Sequence, residues 1–230
     1  MTSVKLVSFD IWNTLLDLHK FYNILARMLS KITGKSYSEI GGKIINAYRE
    51  ALDARLRGVF KRPVYDSALF FSEKLGISVD VLFRATVLAV LDTEIAQIAF
   101  PDASETLREL RGRGYRIAFL GNVMFWPGMV TRLMLEKNGL LEYADITLFG
   151  DEIGVQKPDK RVFEYLAELC DCGINEILHV GDSLVNDFAG ALLAGASAAL
   201  IKRDLGTDIV KLSDKAYIIN SLKTLLELLA

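Results

Sequence analysis

Asp10, Asp182, Asp187 and Lys157 are the side chains whose types and spacing could do chemistry. Asp10 closes the apolar run Val4-Lys5-Leu6-Val7-Ser8-Phe9, where a buried strand would end. Asp182 follows Gly181 at the end of another apolar run. Asp187 stands five residues further on, so the turn between them lets both carboxylates face one point. Three carboxylates gathered this way are the oxygen ligands that Mg²⁺ prefers, with the phosphate of a small anionic substrate completing the shell. Lys157 would offset the charge of that cluster and hold an anion as a point charge. Gly121 and Asn122 end a third run. Their backbone N–H groups could receive the anion's oxygens with no side chain in the way.

These residues meet only if the chain brings several strand ends to one edge. From Pro101 onward, apolar runs alternate with helical patterns, as in a doubly wound parallel sheet. Strands are predicted at Arg116–Leu120, Ile146–Phe149, Ile177–Val180, Ala198–Ile201 and Tyr217–Ile219, with helices between them and a Leu-rich helix at the end. Open sheets of this kind bind ligands where their strands end. Residues 18–100 differ, with four helical patterns and no convincing strand. Phe21, Leu25, Met28, Leu29 and Ile32 form one apolar face. Ile40, Ile44, Ile45, Tyr48 and Leu52 form a second, after the capping-type Ser38. Leu69, Phe70 and Leu75 form a third that Gly76 ends, and Val81, Leu82, Ala85 and Leu88 a fourth. The expected fold is α/β: a Rossmann-like core over 1–17 and 101–230, with a helical cap inserted at 18–100.

Composition narrows the class. Hydrophobic residues make up 51% of the 230, enough for a sizeable core, and the net charge of -2 offers no footprint for nucleic acid. Lys5 and Asp10 interrupt the apolar run that a signal peptide needs, and no apolar stretch is long enough to span a bilayer. The expectation is a cytoplasmic protein with no membrane partner, a monomer or homodimer. Cys170 and Cys172 diverge on a helix, which argues against a disulfide or metal pair.

The motifs together resemble the haloacid dehalogenase-like (HAD) hydrolases. Asp10-Ile11-Trp12-Asn13-Thr14 matches the first motif of that family, Gly121-Asn122 the second, Lys157 the third and Gly181-Asp182…Asp187 the fourth, in the right order. The helical insertion resembles the family's type I cap. The resemblance implies that Asp10 attacks phosphorus to give an aspartyl-phosphate, which water hydrolyses. It also implies Mg²⁺ held by Asp10, Asp182 and the backbone oxygen of Trp12, with Asp187 acting through water and Lys157 orienting Asp10 and the transferring group.

Two positions depart from the family's phosphatases. Trp12 stands where they carry an acid that serves as general acid and base, a loss of 10²–10⁴-fold in typical cases. Gly121 replaces a Ser or Thr hydroxyl, for which Ser183 is a conceivable substitute. Metal-free 2-haloacid dehalogenases carry an aromatic residue at the place of Trp12, and a halide leaves without a proton. Arg49 on the cap would then clamp a substrate carboxylate. Against that alternative, three carboxylates at one point repel one another without a cation. Trp12 is also placed among substrate-contacting residues; Phe125 and Trp126 either line a vestibule or fill the cap–core joint. A weakened enzyme kept as a binding module is the reading from a different class. His179 reads as a satisfied core histidine, His19 as a surface residue, Asn122 as a turn former or an anion binder, and Thr14 as bonding to local backbone.

Overall fold

The computed structural model describes residues 4–229. The described chain divides into two compact units. One holds the residues up to Asp17, Ala99–Asn122 and the chain from Gly139 on; the other holds Leu18–Ile98 and Val123–Asn138.

The first unit is built on strand β1 (Leu6–Phe9), buried on both faces. Strands β2 (Arg116–Gly121), β3 (Ile146–Phe149), β4 (Ile177–Gly181), β5 (Ser197–Ile201), β6 (Ile209–Lys211) and β7 (Ala216–Ile219) complete one sheet in the order β3-β2-β1-β4-β5-β7-β6. All pairs are parallel except β6 with β7. The order reverses direction at β1, with β2 on one side and β4 on the other. The crevice at the ends of these three strands is therefore the expected ligand site of an open α/β sheet. The antiparallel edge strand β6 is absent from the sequence reading. It is three residues long and half exposed, so it lacks the continuous apolar run that marks the buried strands.

The helical unit contains α1 (Leu18–Thr33), α2 (Tyr37–Leu56), α3 (Pro63–Leu75) and α4 (Val79–Leu91). Pro63 opens α3, where a missing N–H costs nothing, and Gly76 ends it in the left-handed conformation at φ 61°. Ser78 caps α4 by accepting the N–H of Val81. Three local expectations are corrected. Helix α2 begins at Tyr37, so Ser38 lies within its first turn. Leu69 is 45% exposed and Leu88 37% exposed, because Ala68, Phe71 and Leu75 carry the buried face of α3, and Leu82, Ala85 and Ala89 that of α4.

The remaining helices are α5 (Ala103–Gly112), α6 (Gly128–Lys137), α7 (Gly150–Ile153), α8 (Lys160–Leu169), α9 (Gly190–Ala194) and α10 (Leu225–Leu228). Helix α6 belongs to the helical unit, although the sequence reading assigns its residues to the core. Asn138 at its C-terminus donates to the carbonyls of Ile95 and Met134 and accepts from Ile98. Phe125 packs on Phe71 at 4.4 Å and Trp126 on Phe21 at 5.0 Å. The Trp126 indole N–H donates to Thr131, so both rings fill the interior of the helical unit. No helix among the described residues is long and apolar enough to cross a membrane.

Candidate active site

Asp10 leaves β1 with its N–H bonded to the carbonyl of Val180 on β4, so its position follows the sheet register. The chain then makes one tight turn. Leu15 and Leu16 both donate to the carbonyl of Ile11, and Asn13 takes the left-handed conformation at φ 60°, which Asn tolerates better than most residues. Trp12 is half-buried in this turn, and a bridge pairs it with Leu16. Arg203 holds the turn from behind. It donates to the carbonyl of Thr14 at 2.9 Å, pairs with Asp102 at 2.8 Å, and lies over the ring of Phe100.

Lys157 is 2% exposed and lies between two acids, 2.8 Å from Asp10 Oδ1 and 2.7 Å from Asp187 Oδ1. Asn122 at the end of β2 fixes its backbone, accepting from the Lys157 N–H at 2.8 Å and donating to the Lys157 carbonyl at 2.9 Å. The side chain of Asn122 is thus engaged with the lysine segment, as in a loop former. Gly121 has a steric reason to lack a side chain. A Cβ there would lie 2.8 Å from two ring carbons of Phe149 and 2.9 Å from Ile11 Cδ1. The Ser183 hydroxyl accepts from both the backbone and side-chain N–H groups of Asn186, which ties it to the local turn.

Asp187 sits where the sequence reading expects the start of a helix. That helix opens with a π-type turn, Leu184–Ala189, before α9. Such wide turns recur at functional sites because they redirect one side chain. The Ser183 N–H donates to Asp187 Oδ2 at 3.0 Å. Gly181 makes room for the carboxylate: a Cβ at Gly181 would collide with Cγ, Oδ2 and Cβ of Asp187.

One oxygen from each of Asp10, Asp182 and Asp187 lies within 4.8 Å of the others. Burial pushes the Asp10 carboxyl up to about 7; Lys157 opposes this, and Asp187 and Asp182 add to it. Burial followed by repulsion from Asp187 pushes Asp182 up to about 6, against a hydrogen bond from the Asn13 side chain. Burial also works against ionised Asp187, but Lys157 and His179 outweigh it and hold this carboxyl well below the usual range. Burial disfavours the charged Lys157, yet Asp10 and Asp187 prevail and raise it above an ordinary lysine. Lys157 thus pairs with two of the three acids and Lys202 pulls on the third, Asp182, so the three carboxylates still outnumber the ammoniums. An all-oxygen donor set with excess negative charge fits a hard divalent cation such as Mg²⁺.

The structure therefore brings Asp10, Lys157, Asp182 and Asp187 together, with Gly121 and Asn122 at the adjoining strand end. Arg49 lies exposed on α2 in the helical unit. Three residues add contacts that sequence reasoning did not anticipate. Asn13 bonds to Asp182. Thr14 points its hydroxyl at Asp10 Oδ2, 3.5 Å away, rather than at local backbone. His179 is a buried, satisfied histidine as expected, but one of its partners is Asp187, at 3.2 Å. A polar residue inside an apolar strand one turn from the acids was the available signal for His179.

A model of haloacid dehalogenase-like hydrolases matches residues 4–195. The chain belongs to this family. Among curated relatives, this hydrolase is 34% identical over 116 residues to ribulose-1,5-bisphosphate 5-phosphatase of Halopiger xanaduensis. That match covers 50% of the chain and 47% of the relative, so the chain spans about half the length of this relative. It is 26% identical to (S)-2-haloacid dehalogenase of a Pseudomonas species, strain YL, over 88% of the chain and 84% of the relative. A solved HAD phosphatase from Thermococcus onnurineus superposes with a TM-score of 0.66 at 27% identity, covering 99% of this chain and 98% of that one. Phosphatase and dehalogenase relatives thus both stand close to this HAD-like hydrolase.

Proposed function

We propose that this hydrolase is a Mg²⁺-dependent phosphatase of a small phosphorylated metabolite, working through an aspartyl-phosphate on Asp10. The observation that carries the reading is the cluster of three carboxylates within 4.8 Å, with one buried ammonium, Lys157, paired to two of them. A phosphatase needs that surplus of negative charge to hold a cation; metal-free halide displacement does not.

Asp10 Oδ1 accepts from Lys157 and keeps a second lone pair for a cation, while Oδ2, with the Thr14 hydroxyl beside it, is the attacking oxygen. Attack forms the Oδ2–P bond and breaks the bond from phosphorus to the leaving oxygen. Lys157 keeps Asp10 oriented and balances charge on the transferring group. Water then adds to phosphorus and gives a proton to solvent, the Oδ2–P bond breaks, and phosphate departs with the Asp10 carboxylate restored. Asp10, Asp182, the backbone oxygen of Trp12 and Asp187 would hold Mg²⁺, which supplies charge neutralisation at the phosphoryl oxygens. Trp12 has no proton to give, so the leaving oxygen must depart as an anion or take its proton from water. The test is Mg²⁺-dependent hydrolysis of an aryl phosphate, abolished in Asp10→Asn.

A second reading has its own support. Trp12 supplies the aromatic residue of the dehalogenases, and likeness to (S)-2-haloacid dehalogenase extends over 88% of the chain. In that reading Asp10 displaces halide from carbon, and Arg49 binds the substrate carboxylate. Metal-independent halide release from 2-chloropropionate, with no hydrolysis of phosphate esters, would decide for it.

A further inference from the structure

Ser8 on β1 and His179 on β4 are register partners, 0% and 1% exposed, in the middle of an otherwise apolar sheet. A buried imidazole requires a partner for each nitrogen. His179 has both: Nδ1 meets the Ser8 hydroxyl at 3.0 Å, and Nε2 meets Asp187 Oδ1 at 3.2 Å. The ring of Phe163 stands edge-on at 5.2 Å and closes the side of the imidazole. An ionised Asp187 can only accept, so Nε2 must carry a proton. A neutral ring then leaves Nδ1 as acceptor for the Ser8 O–H. The same Asp187 oxygen that accepts from Nε2 also accepts from Lys157, whose other contact is Asp10.

We infer that His179 is a positioning residue: gripped by Ser8 on one edge, it donates from Nε2 to Asp187 and so fixes the carboxylate that sets Lys157 against Asp10. His179 touches neither substrate nor reacting atoms. A residue that only filled space would need no donor at this point, and an apolar ring would serve. Here a continuous chain of contacts runs from Ser8 through His179, Asp187 and Lys157 to the nucleophile. Asp187 Oδ1 is committed to the lysine and the imidazole, and Oδ2 accepts from the Ser183 N–H.

The tautomer stands independently of the reaction, whereas the effect on turnover rests on the phosphatase reading. The test uses the full chain. In the metal-free wild type, ¹⁵N NMR of the imidazole at neutral pH is expected to show the proton on Nε2. His179→Gln carries an amide N–H about as far out as Nε2; His179→Asn reaches only about as far as Nδ1. With both variants folded by their melting transitions, Asn is expected to lower kcat on an aryl phosphate on the order of 10–100-fold with little change in KM. Gln is expected to recover most of that loss. A wild-type ring protonated on Nδ1 alone, or Gln and Asn variants of equal activity, would overturn the assignment. If the wild type hydrolyses no aryl phosphate, the phosphatase reading falls, and the tautomer alone decides the positioning role.

Discussion

The side-chain amide of Asn122 clasps both backbone groups of Lys157, accepting at 2.8 Å and donating at 2.9 Å. The end of β2 thereby fixes where the buried ammonium enters the acid cluster. Asn122→Ala removes both bonds and is expected to destabilise the fold by about 1–3 kcal/mol, the cost of leaving part-buried backbone groups unpaired. Because Lys157 loses its support, kcat should fall more than KM rises. Urea titration and steady-state kinetics on one preparation test this, and unchanged kcat would sever Asn122 from the site.

Trp12 cannot donate a proton, so the rate should depend steeply on the leaving group. Aryl phosphates are expected to turn over faster than alkyl phosphates, and Trp12→Asp should narrow the gap by raising alkyl turnover, within the 10²–10⁴ range of general acid catalysis. Rates across a series of phenols and alcohols of graded acidity give the slope directly. A shallow slope in the wild type would mean that another group protonates the leaving oxygen.

The acid cluster links Mg²⁺ to protons. Without a cation, Asp10 titrates near 7 and Asp182 near 6, both raised first by burial. Both folded values lie above the ordinary carboxylate value of 3.8, so between about pH 4 and 7 the metal-free folded state binds more protons than the unfolded chain. These two groups therefore make the metal-free protein less stable as pH rises through that window. His179 acts in the opposite sense. Burial and the Lys157 charge lower it from 6.5 to about 4, so its contribution to stability is lost as pH falls from 6.5 towards 4. Mg²⁺ requires ionised carboxylates, so its binding near pH 6 should release on the order of one proton, falling towards none above pH 8. Calorimetry in buffers of different ionisation enthalpy counts those protons. A pH-independent Mg²⁺ affinity would rule out Asp10 and Asp182 as its ligands.

Gly121→Ser would supply the hydroxyl that the family resemblance leads one to expect there, but its Cβ would press on Phe149 and Ile11. Such overpacking is expected to cost about 1–3 kcal/mol. The pair Gly121→Ser with Phe149→Leu should cost less than the sum of the two changes, because the smaller side chain yields space. Additivity in a denaturation cycle would show that the ring is not what restricts Gly121.

Much of the sheet was legible because its buried parallel strands read as mostly apolar runs, and β1, β2, β3 and β4 each stop at a Gly or an Asp. The three-residue edge strand β6 carries no such run. The helical unit was legible as helices but not in phase. Ser67 and Ser72 lie on the buried face of α3; Ser67 bonds back to the carbonyl of Pro63, so a polar letter hides a core position. In the site, Asp10 and Asp182 stood out because charged residues at strand ends need a reason, and Lys157 and Asp187 because they complete a charged set with them. Asn13 and His179 did not, and Asn122 stood out as a motif but not as the residue that clasps Lys157. An Asn in a turn and a His in a strand have ordinary structural uses, and sequence does not say which carboxylate or backbone group they will meet.

The most direct measurement of the central claim is the covalent state of Asp10 during a single turnover. Excess enzyme is mixed with an aryl phosphate and Mg²⁺, quenched in acid, digested and weighed by mass spectrometry. The expected result is a peptide bearing Asp10 that is heavier by one phosphoryl group, absent from Asp10→Asn and from metal-free samples. Product formed with Asp10 never modified, or halide released from 2-chloropropionate without metal while phosphate esters remain untouched, would contradict the account.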